Sequence, residues 1–378
     1  MILLAATAHA LTLDQAVHRA AEVDPNAAIA ALEWRQAQLD AAHVWASQGL
    51  TPSFEASRTF VGANATNSTS VGVSVGALNL AGWFDALQHS ADARASRATA
   101  DATSLDAQYA VAALYYSAVS ADAALEAARI SERTAKATAD VTAARVAAGM
   151  ENELAERSAR LGLLEAQAET ARAESVKEIA IASLARALEE PVDGLEPAAP
   201  PELPTEAGRS PWLLAADASV DAAKWQVGQR WAELLPVGEV SANSSLATLN
   251  TWSITLGVSW SWDGVVGPYL DARSAMLAKK VAEIELDALE RDLALQLDIS
   301  RSQARAASRV AEAARARQEL AEASVEVGTA RLSVGLASSL QVLRLQDDAS
   351  RARADRVAAE LDEILARLEA RRVAGMGW

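Results

Sequence analysis

The sequence predicts a mainly α-helical chain with a small β part, built as a duplicated repeat of long coiled-coil-like helices plus two strands per half. Three observations predict it. About a quarter of the 378 residues are alanine and only 4% are aromatic, a composition suited to helices that approach closely rather than to a thick globular core. The two halves match at a constant offset of 186 residues across a proline-rich stretch. One segment of each half alternates apolar with small or polar residues, the period of a strand.

The chain opens with "MILLAATAHA", a short apolar run ending in Ala8-His9-Ala10. That is the A-x-A form of a signal-peptidase site, without the basic n-region that would precede it. Residues 1–10 read as the remnant of a secretion signal, so the mature chain is expected to begin near Leu11 and to be exported.

Residues 11–188 form the first repeat. Pro25 is expected to start a helix, since proline is tolerated in the first turn, and this helix runs to about Trp45. Two short strands follow. A long helix then spans about Asp85 to Ala148, stops at Gly149, and another runs to about Leu188. Six of the ten prolines lie between Pro191 and Pro211. Residues 189–210 therefore form neither helix nor central strand and link the halves.

Residues 211–378 repeat the plan. Pro211 matches Pro25, Trp231 matches Trp45, and "YLDA" at Tyr269 matches "WFDA" at Trp83. Ala330, Arg331, Gly335 and Leu340 match Ala144, Arg145, Gly149 and Leu154. Unrelated alanine-rich helices would match on alanine, not on Pro, Trp and Gly. The helices are predicted over Pro211 to Ala232, Tyr269 to Val334, and from after Gly335 to about Arg372. A helix of about 64 residues reaches about 95 Å, and helices of about 36 and 23 residues stacked end to end reach about 88 Å. A continuous column can thus lie beside a stacked one. Leu105, Tyr109, Ala112, Tyr116 and Val119 alternate by four and three, the spacing of close helix packing.

The strand "TWSITLGVSWSWD" is the most specific physical signal. Trp252, Ile254, Leu256, Val258, Trp260 and Trp262 point to one face, and Ser253, Thr255, Gly257, Ser259 and Ser261 to the other. Eleven residues of alternation is the length of a tilted transmembrane strand, and tryptophans at both ends suit the two membrane interfaces. In the first half Val71, Val73 and Val75 alternate with Gly72, Ser74 and Gly76. These residues are the expected lipid-facing set. "SFEASRTF" and "VGEVSANSSL" are the expected hairpin partners. Four strands cannot close a barrel, so chains must pool them.

Several function classes are excluded. A net charge of -16 and a pI near 4.8 leave no basic stripe for nucleic acid. The absence of cysteine excludes disulfides and thiolate metal sites. His9, His18, His43 and His89 lack metal-ligand spacing, so no metal and no cofactor is expected. No nucleophile elbow or phosphate loop is present, and the chain is not expected to be an enzyme. No apolar run is long enough for a transmembrane helix.

"LTLDQAVHRAAEVDPNAAIAALEWRQAQLDAA" and "GLASSLQVLRLQDDASRARADRVAA", with the duplication and its strand pairs, resemble the TolC-like outer membrane efflux protein family over residues 11 to 374. The resemblance implies a homotrimer, with a 12-stranded β-barrel in the outer membrane continued by a 12-column α-helical tube through the periplasm. It implies an exit duct of a tripartite efflux pump or type I secretion system in a Gram-negative bacterium. The implied partners are further copies of the chain, a periplasmic adaptor (membrane fusion) protein, an inner-membrane transporter and outer-membrane lipid. Gly149, Met150, Val334, Gly335 and Leu336 would be the adaptor-contact tips. Studied members narrow their entrance with aspartates six and nine residues after the second glycine. Here those positions are Gln341 and Arg344, and Glu151, Glu153, Glu156, Asp347 and Asp348 are nearby candidates for the constriction. The proline-rich linker implies a reduced equatorial domain. The alternative reading is a periplasmic coiled-coil adaptor or structural rod without a channel.

Overall fold

The computed structural model describes residues 10–49, 51–61, 64–204, 208, 210–245, 252–260 and 266–378. The chain is 78% helical with one antiparallel four-stranded sheet. The proposed signal remnant, apart from residue 10, and Trp262 lie outside the described residues.

The order of elements is α1 (Leu13–Val23), α2 (Pro25–Ser47), β1 (Thr51–Val61), β2 (Asn64–Leu78), α3 (Leu80–Ala147), α4 (Glu153–Leu188), α5 (Pro211–Ala232), β3 (Val237–Ser245), β4 (Trp252–Ser259), α6 (Val266–Ser333) and α7 (Ser339–Val373). Both prolines open helices. Asp24 accepts from the Ala27 amide at 2.8 Å ahead of Pro25, and Pro211 follows its N-cap Ser210. The two long helices begin earlier than the sequence suggests, at Leu80 and Val266 rather than near Asp85 and Tyr269. In the first case Asn79 accepts from the Gly82 amide at 3.0 Å, a cap that lies four residues before the matched "WFDA" signal. β4 is shorter than the eleven-residue alternation. The ladder ends at Ser259, and Trp260 is past it.

Contacts divide the chain into two compact units, each drawing on both sequence halves. Residues 28–103 and 209–293 form the unit that holds the sheet. Its strands lie in the order β1-β2-β3-β4, every neighbouring pair antiparallel. The helices follow the same order. Trp45 of α2 packs edge-on to Trp83 of α3 at 5.8 Å, Phe84 of α3 stacks on Trp225 of α5 at 6.1 Å, and Trp231 of α5 meets Tyr269 of α6 at 6.2 Å. Arg94 of α3 also pairs with Asp221 of α5 at 3.0 Å.

Residues 1–27, 104–208 and 294–378 form the other unit. Its core cluster joins Ala16 and Ala20 of α1, Val111, Tyr115 and Ala118 of α3, and Leu184 and Leu188 of α4. Small side chains dominate, so the helices pack closely and polar ties fill in where bulk is lacking. Residues 191–204 contain no helix, and prolines there cannot donate. Helix side chains instead donate to the linker's carbonyls. Tyr115 OH bonds Glu196 O, Tyr116 OH bonds Ala199 O at 2.7 Å, Arg367 bonds Pro201 O at 3.4 Å and Arg301 bonds Pro204 O at 3.1 Å. Arg367 is held from behind by the buried Glu363, which also pairs with Arg315 at 3.4 Å.

Candidate functional site

Two regions hold the candidate functional residues, one in each unit. The first is the sheet. Its register places whole rows of like character side by side, because residues directly opposite in an antiparallel pair share a face. One row runs Phe54, Val71, Ser244, Trp252; the next runs Pro52, Val73, Ala242, Ile254; a third runs Val75, Val240, Leu256. The rows between them run Ser53, Gly72, Asn243, Ser253 and Thr51, Ser74, Ser241, Thr255. One face is therefore apolar across four strands, with Ser244 as the exception among these rows, and the other is polar.

The polar face is knit by its own hydrogen bonds. Thr51 Oγ1 donates to Ser74 O at 2.9 Å, and Ser253 Oγ donates to Asn243 O at 3.3 Å. Asn243 lies across Gly72, where an added Cβ would run into its Oδ1. Among the described residues, none covers the apolar face of β4. Trp252, Ile254, Leu256, Val258 and Trp260 are all more than half exposed. Among the described residues β1 and β4 each have one neighbouring strand, so the sheet as described has two open edges.

The second region is the pair of helical turns. At the end of α3 the Gly149 amide bonds Val146 O at 2.9 Å and the Met150 amide bonds Arg145 O at 2.9 Å. At the end of α6 the Gly335 amide bonds Leu332 O at 3.1 Å and the Leu336 amide bonds Arg331 O at 2.8 Å. These are two Schellman motifs, which require a left-handed residue at the same place. Gly149 and Gly335 supply it, with φ of 70° and 76°. Both are the glycines that the repeat singles out. An added Cβ at either would meet nothing within 4 Å. Met150, Val334 and Leu336 are 64%, 68% and 78% exposed, so each turn presents bare backbone with apolar side chains beside it.

The return helices are capped locally. Asn152 accepts from the Ala155 amide at 2.9 Å. Ser338 and Gln341 form a capping box, in which Gln341 Oε1 accepts from the Ser338 amide at 3.1 Å. Among the other constriction candidates, Glu153 pairs with Arg157 at 3.3 Å and Glu156 with Arg160 at 3.7 Å, each within α4. Arg344 and Asp348 are exposed on α7.

Sequence reasoning missed the tie between the turns. Glu151 is only 12% exposed at its side chain. It faces Arg145 Nε at 3.6 Å and accepts from Ser339 Oγ and, at 3.4 Å, from the Ser339 amide. Arg145 in turn donates to Leu332 O at 3.2 Å. The available signal was that Arg145 recurs as Arg331 in the repeat, while Glu151 recurs as Ala337.

No family model matches the chain, and no curated protein is similar to it. Solved structures are. The chain is similar to CusC, studied for the changes that accompany folding and transmembrane channel formation, with a TM-score of 0.84 at 14% identity over 97% of this chain and 92% of that one. It is similar to the outer membrane protein VceC of Vibrio cholerae, with a TM-score of 0.82 at 16% identity over 97% and 96%. The Campylobacter jejuni CmeC outer membrane channel gives 0.77 at 15% identity over 96% and 85%. The shared property is the fold: the chain has the TolC-like channel fold.

Proposed function

We propose that this chain is a subunit of an outer-membrane exit duct that moves molecules and transforms none. The observation that carries the reading is the single apolar face running across all four strands between two unpaired edges. In lipid each unpaired backbone group costs several kcal/mol, and a sheet escapes that cost only by closing. The paired stretch of β1 spans 11 residues, about 37 Å of strand, or about 28 Å of height at a tilt of about 40°. The apolar band of an outer-membrane barrel is about 25 Å tall. Three copies supply twelve strands, and we read the assembly as a homotrimer of chains with repeats at 11–188 and 211–378. We place it in the outer membrane of a Gram-negative bacterium, extending into the periplasm. The glycine turns are read as contacts for a periplasmic adaptor that couples the duct to an inner-membrane transporter, in an efflux pump or type I secretion system. The acids and polar groups after each turn are read as the lining of the entrance.

Expression with a Gram-negative signal peptide, membrane fractionation and native mass measurement in detergent test this. Recovery from the outer membrane at three times the chain mass is expected. A monomer in the periplasmic fraction would overturn the duct and favour the rod without a channel.

A further inference from the structure

The four strands contain three charged residues, Glu55, Arg58 and Glu239. The register sorts them by sign. Glu55 stands opposite Ser70, in the row that continues to Ser245, and Glu239 stands opposite Gly257. Both are an even number of residues from the polar rows, Glu55 from Thr51 and Ser53 on β1, Glu239 from Ser241 and Asn243 on β3. They therefore share the polar face. Arg58, opposite Asn67, is an odd number of residues from Glu55 and falls by register on the other face. Between the rows of Glu239 and Glu55 the polar face holds only Ser, Thr, Asn and Gly. It is a neutral wall that carries two carboxylates and no cation of the strands.

Both carboxylates are exposed, and among the described residues neither stands in an ion pair. Many acids of the helices do: Glu153 pairs with Arg157 at 3.3 Å, Glu174 with Arg129 at 3.1 Å and Glu360 with Arg315 at 2.7 Å. A paired acid has little field beyond its partner. A lone carboxylate on a neutral wall projects its field into the water beside it.

We propose that Glu55 and Glu239 select by charge what the duct passes, favouring cations and holding back anions. This rests on the exit-duct reading, in which the polar face lines the lumen and three copies repeat each carboxylate around it. The two acids then form two rings, set apart by six residues of strand, about 20 Å. The size of the barrel makes the rings effective. Twelve strands about 4.8 Å apart and tilted by about 40° enclose a circle about 24 Å across. A glutamate reaches about 5 Å inward, which leaves its carboxylate about 7 Å from the axis, within the Debye length of about 8 Å at physiological salt. No path through the barrel avoids the rings. At that distance three unit charges in water favour a monovalent cation over the matching anion by about tenfold. Rings of acidic side chains are a general means of passing cations.

The test is the reversal potential of the purified oligomer in planar lipid bilayers, under a gradient of potassium chloride at moderate salt. The unaltered chain is expected to pass potassium in preference to chloride. The double variant Glu55→Gln with Glu239→Gln is expected to lower that permeability ratio about tenfold. Each single variant keeps one ring and should hold most of the preference. Glu55→Lys with Glu239→Lys should invert it. All four changes fall on exposed side chains, and native mass checks that the oligomer still forms. In about 1 M salt, where the Debye length falls to about 3 Å, the preference of the unaltered chain should fade. An unaltered chain that prefers chloride or neither ion would overturn the proposal, and so would a double Gln variant with an unchanged ratio; in both cases the duct stands. An oligomer that gives no conductance at all would remove the duct and the proposal together.

Discussion

Arg145, in the last turn of α3, donates to the main-chain oxygen of Leu332, in the last turn of α6, at 3.2 Å. The same Leu332 oxygen receives the amide of Gly335. One guanidinium thus fastens the end of one helix to the turn that closes another, and Glu151 steadies it from the first turn while holding Ser339 of α7.

Glu151→Gln keeps the shape but removes the charge. A charge-assisted hydrogen bond in a partly buried setting is worth about 1.5–3 kcal/mol. Hydrogen exchange of the amides around Met150 and Leu336 should rise in both turns together, with global unfolding little changed. A rise confined to the turn that carries Glu151 would show that the two turns are not coupled.

Gly335 holds φ of 76° with open space where a Cβ would stand. Gly335→Ala should therefore cost about 1–2 kcal/mol through backbone strain alone. Gly335→Glu carries the same strain and adds a charged side chain to the exposed turn. If the turn docks an adaptor, drug sensitivity should be restored almost fully by Gly335→Glu and only partly by Gly335→Ala, with equal oligomer yield in the outer membrane. Equal export by both variants would reduce Gly335 to a helix stop.

Leu256 and Thr255 are neighbours on β4 with opposite faces, opposite Val240 and Ser241. Leu256→Arg should cost about 2–4 kcal/mol if its side chain meets lipid near the midplane. Thr255→Arg would enter the polar side and should cost far less. Assembly yield in the outer membrane measures both, and equal loss would mean that the faces are wrongly assigned.

Tyr116 is pushed up to about 12, first by burial and then by the neighbouring Tyr115 hydroxyl. Its neutral phenol donates to Ala199 O. A raised pKa means that the folded state holds the proton more tightly than the unfolded one. This contribution is complete below about pH 10 and is lost as pH rises through about 12. Burial raises Tyr109 and Tyr115 as well, so an ultraviolet titration should show several late phenols, of which Tyr116→Phe deletes the one near pH 12, and proteolysis of the linker should accelerate over the same range. Ionisation near pH 10 with the linker still protected would refute the tie.

The sequence by itself determined the elements whose causes are local. Pro25 and Pro211 start helices because their ring presets φ, Gly149 and Gly335 end them because only glycine enters the left-handed region cheaply, and alternation from Trp252 onward specifies a strand with two unlike faces. Each rule acts within a few residues, so it can be read from spacing alone. The tertiary structure decided what depends on partners far apart in the chain. Ser241 and Thr255 share a face through the register of a hairpin. Glu151 reads as a free surface acid until α3 and α7 bring Arg145 and Ser339 to it. The carbonyls of Pro201 and Pro204 find donors in Arg367 and Arg301, more than ninety residues away. Hydrogen bonds and ion pairs act over about 3 Å, and sequence separation carries no information about which groups come that close.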